Sequence, residues 1–234
     1  AGRDVSLDNV EANDNRLFGA SIKAVGNVNI SNSRFLSNNG LTVAGFDGIG
    51  LQVISSGGSI VLTGVDASGN TLFGANLYAA GDVAIANSNF SNNTTGSATD
   101  ALGIGLQVVS GGNVFIDTVT LDGNQLSGAK IQAAGDAFLD FITATNNGTN
   151  GMEVDAHCTF LNGGAFTGNG QYGLSLVNPT LDTTNTTVFS GNGLGDIFPA
   201  NPGACPVVTT GGGGTDVEIV VIRGTNTSTS NQIQ

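Results

Sequence analysis

The chain has 234 residues, only 10% of them charged, with 37 glycines, no tryptophan and a formal net charge of −12. Such acidity argues against partners that are themselves polyanions, namely nucleic acid, anionic membranes and polyuronates. No apolar run reaches the length that spans a bilayer, and the length allows one elongated domain.

Read along the chain, the sequence repeats itself. The hexapeptide GIGLQV stands at Gly48–Val53 and again at Gly103–Val108. The matches extend further: Asn15–Asn39 aligns with Asn70–Asn93, and that block with Asn124–Asn147. A double repeat of about 55 residues therefore splits into two related halves. Residues 1–15, AGRDVSLDNVEANDN, match the second half of a unit, so the reading starts in mid-coil with no N-terminal cap. An uncapped solenoid end presents unpaired strand groups that adhere to other edges.

Seven units follow. Each opens on a glycine (Gly19, Gly50, Gly74, Gly105, Gly128, Gly151, Gly173) and closes on an asparagine (Asn38, Asn70, Asn93, Asn124, Asn147, Asn169, Asn192). An apolar residue stands three positions before each asparagine, from Phe35 to Phe189. Within a unit the apolar residues alternate with period two and are interrupted by Gly or Asn, which predicts short strands joined by tight turns. One unit cannot bury its own apolar face, whereas stacked units can. The expected fold is an all-β, single-stranded parallel β-helix of seven to eight coils of 22–31 residues, with a C-terminal capping segment or strand.

The pattern predicts inward columns. One runs Ile22, Val53, Leu77, Val108, Ile131, Val154, Leu176, and a second Ile30, Leu62, Ile85, Ile116, Leu139. A third, Ala20, Leu51, Ala75, Leu106, Ala129, alternates small and large side chains so that coils interdigitate. The closing asparagines suit a left-handed corner and a stacked amide ladder. The opening glycines suit corners of positive φ.

Two insertions, Gly40–Asp47 and Thr94–Leu102, precede the two hexapeptides and leave the solenoid at one corner, two coils apart. Loops on a rigid scaffold are where recognition concentrates, so Phe46, Asp47, Asp100 and Leu102 are interaction candidates.

Cys158 falls at the corner where other coils carry their second glycine, and Cys205 lies just past the last coil. The pair forms either a disulfide or two free buried thiols. The composition favours the bridge, and with it an oxidising, extracellular setting. The helix occupies 1–192, a capping segment 193–224 and a polar tail 225–234. Inside the capping segment, Val217, Ile219, Val221 and Ile222 make a strand suited to joining a neighbour's edge.

Charge is uneven. Residues 1–40 balance Arg3, Arg16, Lys23 and Arg34 against four acids, while 41–234 hold Lys130 and Arg223 against fourteen. Catalytic signals are sparse. Hydrolysis of the polygalacturonase kind needs clustered carboxylates, and the sequence has no Asp-Asp pair and no Arg-x-Lys clamp. Asp155-Ala156-His157-Cys158 shares two residues with the Asp-Pro-His-Glu motif of mannuronan epimerases and lacks its Pro and Glu. Asp82 and Asp136 sit at corners one double repeat apart. The expectation is no enzyme, no cofactor and no metal.

The Gly-Leu-x-Val openings, the GGNVFI and GDVAI second strands and the Asn-Asn or Gly-Asn closings resemble bacterial surface proteins of the right-handed parallel β-helix type, including large adhesin-like repeat proteins. The resemblance covers residues 1 to about 192. It implies a right-handed coil, secretion and cell-surface display, with structural or adhesive roles. The leading functional expectation is an extracellular structural solenoid that self-associates head to tail. An adhesin or stalk binding surface glycans is the alternative, and a polysaccharide lyase or hydrolase the third. Neither nucleic acid nor membrane insertion is expected.

Overall fold

The computed structural model describes residues 3–39, 48–94, 103–184 and 186–205. Seventeen strands run through them: β1 (Val5–Asp8), β2 (Phe18–Ala24), β3 (Val28–Ser31), β4 (Ile49–Ser55), β5 (Ile60–Thr63), β6 (Phe73–Ala79), β7 (Val83–Asn89), β8 (Ile104–Ser110) and β9 (Val114–Asp122). They continue as β10 (Ala129–Ala133), β11 (Ala137–Thr145), β12 (Met152–Asp155), β13 (Thr159–Thr167), β14 (Tyr172–Leu176), β15 (Leu181–Thr183), β16 (Thr187–Ser190) and β17 (Gly195–Phe198).

The strands form two sheets in which every pairing is parallel. The first runs β1-β3-β5-β7-β9-β11-β13-β15, with β16 also on β13; the second runs β2-β4-β6-β8-β10-β12-β14-β17. From β1 to β15 the chain alternates between the sheets, so each strand pairs with the one a full coil away; β15 and β16 both lie in the first sheet, on successive parts of β13. This is the parallel β-solenoid that the repeat predicts, and it encloses one apolar lumen.

The predicted columns are the observed register. Ile22, Val53, Leu77, Val108, Ile131, Val154 and Leu176 are successive partners through the second sheet. Ile30, Leu62, Ile85, Ile116 and Leu139 are successive partners through the first. A third side carries Phe35, Ala67, Phe90, Leu121, Ala144 and Phe166, all fully buried. The alanines Ala67 and Ala144 stand beside large side chains there, which lets a ring fill the space that its alanine neighbour leaves. Each buried aliphatic side chain contributes about 1.5–3 kcal/mol.

Two details of the corners differ from expectation. The left-handed residue is not the closing asparagine but the one before it: Ser37, Gly69, Asn92, Gly123, Asn146, Gly168 and Gly191 all have φ between 52° and 69°. The turn is completed one residue early, which frees the asparagine to point inward. The opening glycines, in turn, are not positive-φ residues. They are places of close approach. A Cβ on Gly50 would stand 2.5 Å from the Asn70 amide nitrogen and 2.6 Å from the Gly74 carbonyl oxygen. The spacing from Gly to Asn in each unit thus records one contact: the amide lies against the bare glycine of its own coil.

This accounts for the repeated hexapeptide residue by residue. Gly48 and Gly103 take φ of 85° and 105°. Ile49 and Ile104 join Leu72 and Phe73 in a second buried apolar cluster, separate from the lumen. Gly50 and Gly105 receive the asparagine amides, Leu51, Val53, Leu106 and Val108 fill the lumen, and Gln52 and Gln107 face outward. The ladder of strands also runs past Asn192, because β17 pairs with β14.

Candidate functional site

The seven closing asparagines form one continuous ladder. In most steps both the backbone N–H and the side-chain amide of one asparagine donate to the side-chain oxygen of the next. Asn38 donates to Asn70 at 2.9 Å twice, and Asn93 to Asn124 at 3.0 Å twice. The same pair links Asn124 to Asn147, Asn147 to Asn169 and Asn169 to Asn192. Between Asn70 and Asn93 the backbone bond alone is made, at 2.9 Å. All donors point the same way along the axis. At the C-terminal end the Asn192 amide turns to the Asp196 carboxylate, 3.2 Å away. At the other end Asn15 donates its backbone N–H to Asn38, and its own side chain is exposed.

A second ladder, which the repeat reading did not anticipate, runs along the opposite corner. The Asn27 N–H donates to Asp4, Ser59 to Asn27, Asp82 to Ser59, Asn113 to Asp82 and Asp136 to Asn113, at 2.7–3.1 Å. Its polarity is opposite: here each coil donates back to the one before. The signal was present in the sequence as an Asn, Ser or Asp after Gly26, Gly58, Gly81, Gly112 and Gly135. Asp82 and Asp136 are therefore structural links.

The ladder changes character at the next coil. Ala137 pairs with Thr159, which sets His157 opposite Gly135 and Cys158 opposite Asp136. It is thus His157, not Cys158, that occupies the second-glycine position, and its Nδ1 lies 3.0 Å from the Asp136 carboxylate. Cys158 and Cys205 are joined as a disulfide with Cα atoms 5.6 Å apart, within the usual range for such bridges. The bridge fastens the segment after β17 to the side of the solenoid, beside the pairing of Thr180 with Gly203.

Other carboxylates are held in the same manner. Asp8 accepts from Ser31 at 2.6 Å and Asn32 at 2.9 Å, and these bonds hold its carboxyl below the ordinary aspartate range. Asp122 accepts from Thr145 and Asn146, and Asp66 from Ser68 and Asn89. Asp155 stands on the outer face of β12 opposite Gln132, and Lys130 pairs with Glu153 at 3.5 Å. Asp155 and His157 thus occupy an outer face and a corner, and each has its own neighbours.

The two ends differ from the middle. β1 and β2 are edge strands of their sheets, as are β15, β16 and β17. The lumen residues of the first coil, among them Val5, Leu7 and Ile22, are only partly buried, as are Phe189 and Ile197 at the far end. The interaction candidates Phe46, Asp47, Asp100 and Leu102, and the strand candidates Val217, Ile219, Val221 and Ile222, lie outside the described residues. Among the described residues no helix is long and apolar enough to cross a membrane, and no group of three or more His, Cys, Asp or Glu is placed to hold a metal ion. No known family model, curated protein or solved structure matches the chain.

Proposed function

We propose that the chain is a non-enzymatic structural solenoid of an extracellular or cell-surface assembly, whose copies stack head to tail. The observation that carries this reading is the polarity of the two side-chain ladders. The exposed side-chain oxygen of Asn15 is the acceptor type that Asn192, at the other end of the ladder, would meet through its backbone N–H. Partly buried lumen residues at both ends supply the apolar part of such a contact, and a heterologous contact that does not close gives a filament. The disulfide supports an oxidising setting. A non-enzymatic role is supported by the engagement of Asp4, Asp8, Asp66, Asp82, Asp122 and Asp136 in coil-to-coil hydrogen bonds. The adhesin-like resemblance of the coils belongs to the same reading.

Light scattering with negative-stain microscopy tests it. Long regular fibres are expected from the unaltered chain. Val5 in β1 and Asn9 just after it donate their N–H groups to the neighbouring coil, so the alternate Ser6 N–H faces the open edge. Ser6→Pro removes that donor where proline is tolerated and should yield single rods. Monodisperse single rods from the unaltered chain would overturn the proposal.

A further inference from the structure

On the outer face of the first sheet, Val61, Ala84, Phe115, Phe138 and Phe160 stand in one register column across β5, β7, β9, β11 and β13. The three rings stack on one another, with centroids 5.0 and 4.9 Å apart and planes within 6°. The stack ends abruptly at Ala84. In the neighbouring column the same strands carry Thr63, Ala86, Asp117 and Asp140. Two alanines on β7 therefore make the floor of a notch of about 160 Å³, walled by Val61 and Thr63 on one side and by Phe115 and Asp117 on the other.

The dimensions select a shape. Neighbouring coils are spaced by about 4.8 Å, so Val61 and Phe115 are separated by roughly twice that. One flat group fits between them at stacking distance from Phe115, where the next ring of the column would have been. Phe115 is 40% exposed and Val61 38%. The chemistry selects the group. Its faces must be apolar enough to lie on a phenyl ring, and its edge must donate hydrogen bonds to a carboxylate. Asp117 accepts one bond from the Thr118 hydroxyl, at 2.9 Å, through Oδ1; Oδ2 has no partner among the described residues. Asp140 adds a second carboxylate one coil on. A guanidinium meets both demands: it is planar, stacks on aromatic faces and pairs through its edge. An ammonium has no plane, and a phenyl, phenol or indole ring carries no charge. The surroundings favour a cation as well, since described residues 48–205 carry Lys130 against ten acidic residues.

We infer that this notch is a docking site for an arginine side chain presented by a partner protein. The inference is independent of end-to-end assembly, because the notch lies on the flank of the middle coils. The guanidinium lies flat against Phe115 over Ala84, its edge toward Asp117.

Saturation-transfer NMR, observed on a small peptide, tests this whether or not the protein is assembled. The probes are acetyl-Gly-Arg-Gly-amide and its lysine and citrulline counterparts. The arginine peptide should bind about threefold more tightly than the lysine peptide, because only the guanidinium both stacks flat and pairs through its edge. The neutral citrulline peptide should give no transfer at the same concentration. Ala84→Phe continues the ring column and fills the notch, and should abolish transfer to the arginine peptide. Asp117→Asn keeps the shape and should weaken binding about threefold, in line with loss of one exposed ion pair. Circular dichroism should show both variants folded. Equal binding of the arginine and lysine peptides, or binding that survives Ala84→Phe, would overturn the proposal. So would salt-sensitive lateral association of the protein alone that Ala84→Phe removes, because the occupant would then be a second copy.

Discussion

The backbone N–H and the side-chain amide of Asn93 both donate to the side-chain oxygen of Asn124, 31 residues later, at 3.0 Å each. Both side chains are buried. A buried amide is tolerated only when its donors and acceptor are matched, and a ladder meets that condition by passing the same bonds from coil to coil.

Asn124→Ala should therefore cost more than the loss of one ordinary hydrogen bond. It removes the acceptor of two buried donors on Asn93 and the side-chain donor to Asn147. Each buried group left unpaired costs about 1–3 kcal/mol, so the expected loss is roughly 3 kcal/mol. Urea denaturation would measure it. A change below about 1 kcal/mol, the range of an ordinary surface substitution, would show that the ladder is not holding the coils.

Gly105→Ala probes the same contact from the other side. A Cβ there meets the Gly128 carbonyl oxygen at 2.5 Å and the Asn124 amide nitrogen at 2.8 Å. The Phe90 carbonyl also faces it, two of these neighbours are backbone and the Asn124 amide is fixed by its bond to Asn147, so the coils must shift. The expected destabilisation is about 1–3 kcal/mol, read from thermal unfolding. A neutral result would mean that the opening glycines are dispensable.

Phe141 offers the reverse experiment. It is 58% exposed and adopts φ of 52°. Its register partners at the same corner are Thr118 and Gly163, and Asn87 precedes them. A bulky residue in the left-handed region is strained by about 1–2 kcal/mol, whereas asparagine visits it readily. Phe141→Asn should raise stability by about 1 kcal/mol, visible as a shift in the denaturation midpoint. A fall in stability would show that ring packing outweighs the backbone term.

Acid should loosen the first coil before the others. The Asp8 carboxyl is held low, first by the Ser31 hydroxyl and then by the Asn32 amide. A depressed folded value means that the stabilisation is present above the unfolded value, about 3.9, and is lost as pH falls through the folded one. Protection of β1 and β3 from hydrogen exchange, taken relative to the intrinsic exchange rate at each pH, should fall below about pH 4. Asp8→Asn should flatten that dependence, and an unchanged acid profile in the variant would assign the effect elsewhere.

Reduction should act locally. The bridge from Cys158 to Cys205 closes a loop with a sequence separation of 47, for which chain entropy gives about 4 kcal/mol. The lumen of the earlier coils does not depend on it. Cys205→Ser should therefore expose residues 195–205 to limited proteolysis while the exchange protection of β4 to β11 persists. Global unfolding on reduction would contradict this division.

The sequence by itself determined the coil, the order of its strands and the membership of the lumen. Those follow from period-two alternation and a repeat of glycine and asparagine, both of which are local patterns. It also marked the asparagines as a ladder. What only the tertiary structure decided is how residues a full coil apart meet. The left-handed residue falls one place before each asparagine, so that the amide can turn inward. The opening glycines are bare because the asparagine amide of their own coil and a carbonyl of the next press on them. The Asn, Ser and Asp after Gly26, Gly58, Gly81, Gly112 and Gly135 join in a ladder of reversed polarity. The notch over Ala84 exists because three phenylalanines stack on one face and the next coil supplies a methyl group. The pairs that join one coil to the next stand 22 to 32 positions apart, and local propensity carries no information on which pair will touch until the coils are stacked in register.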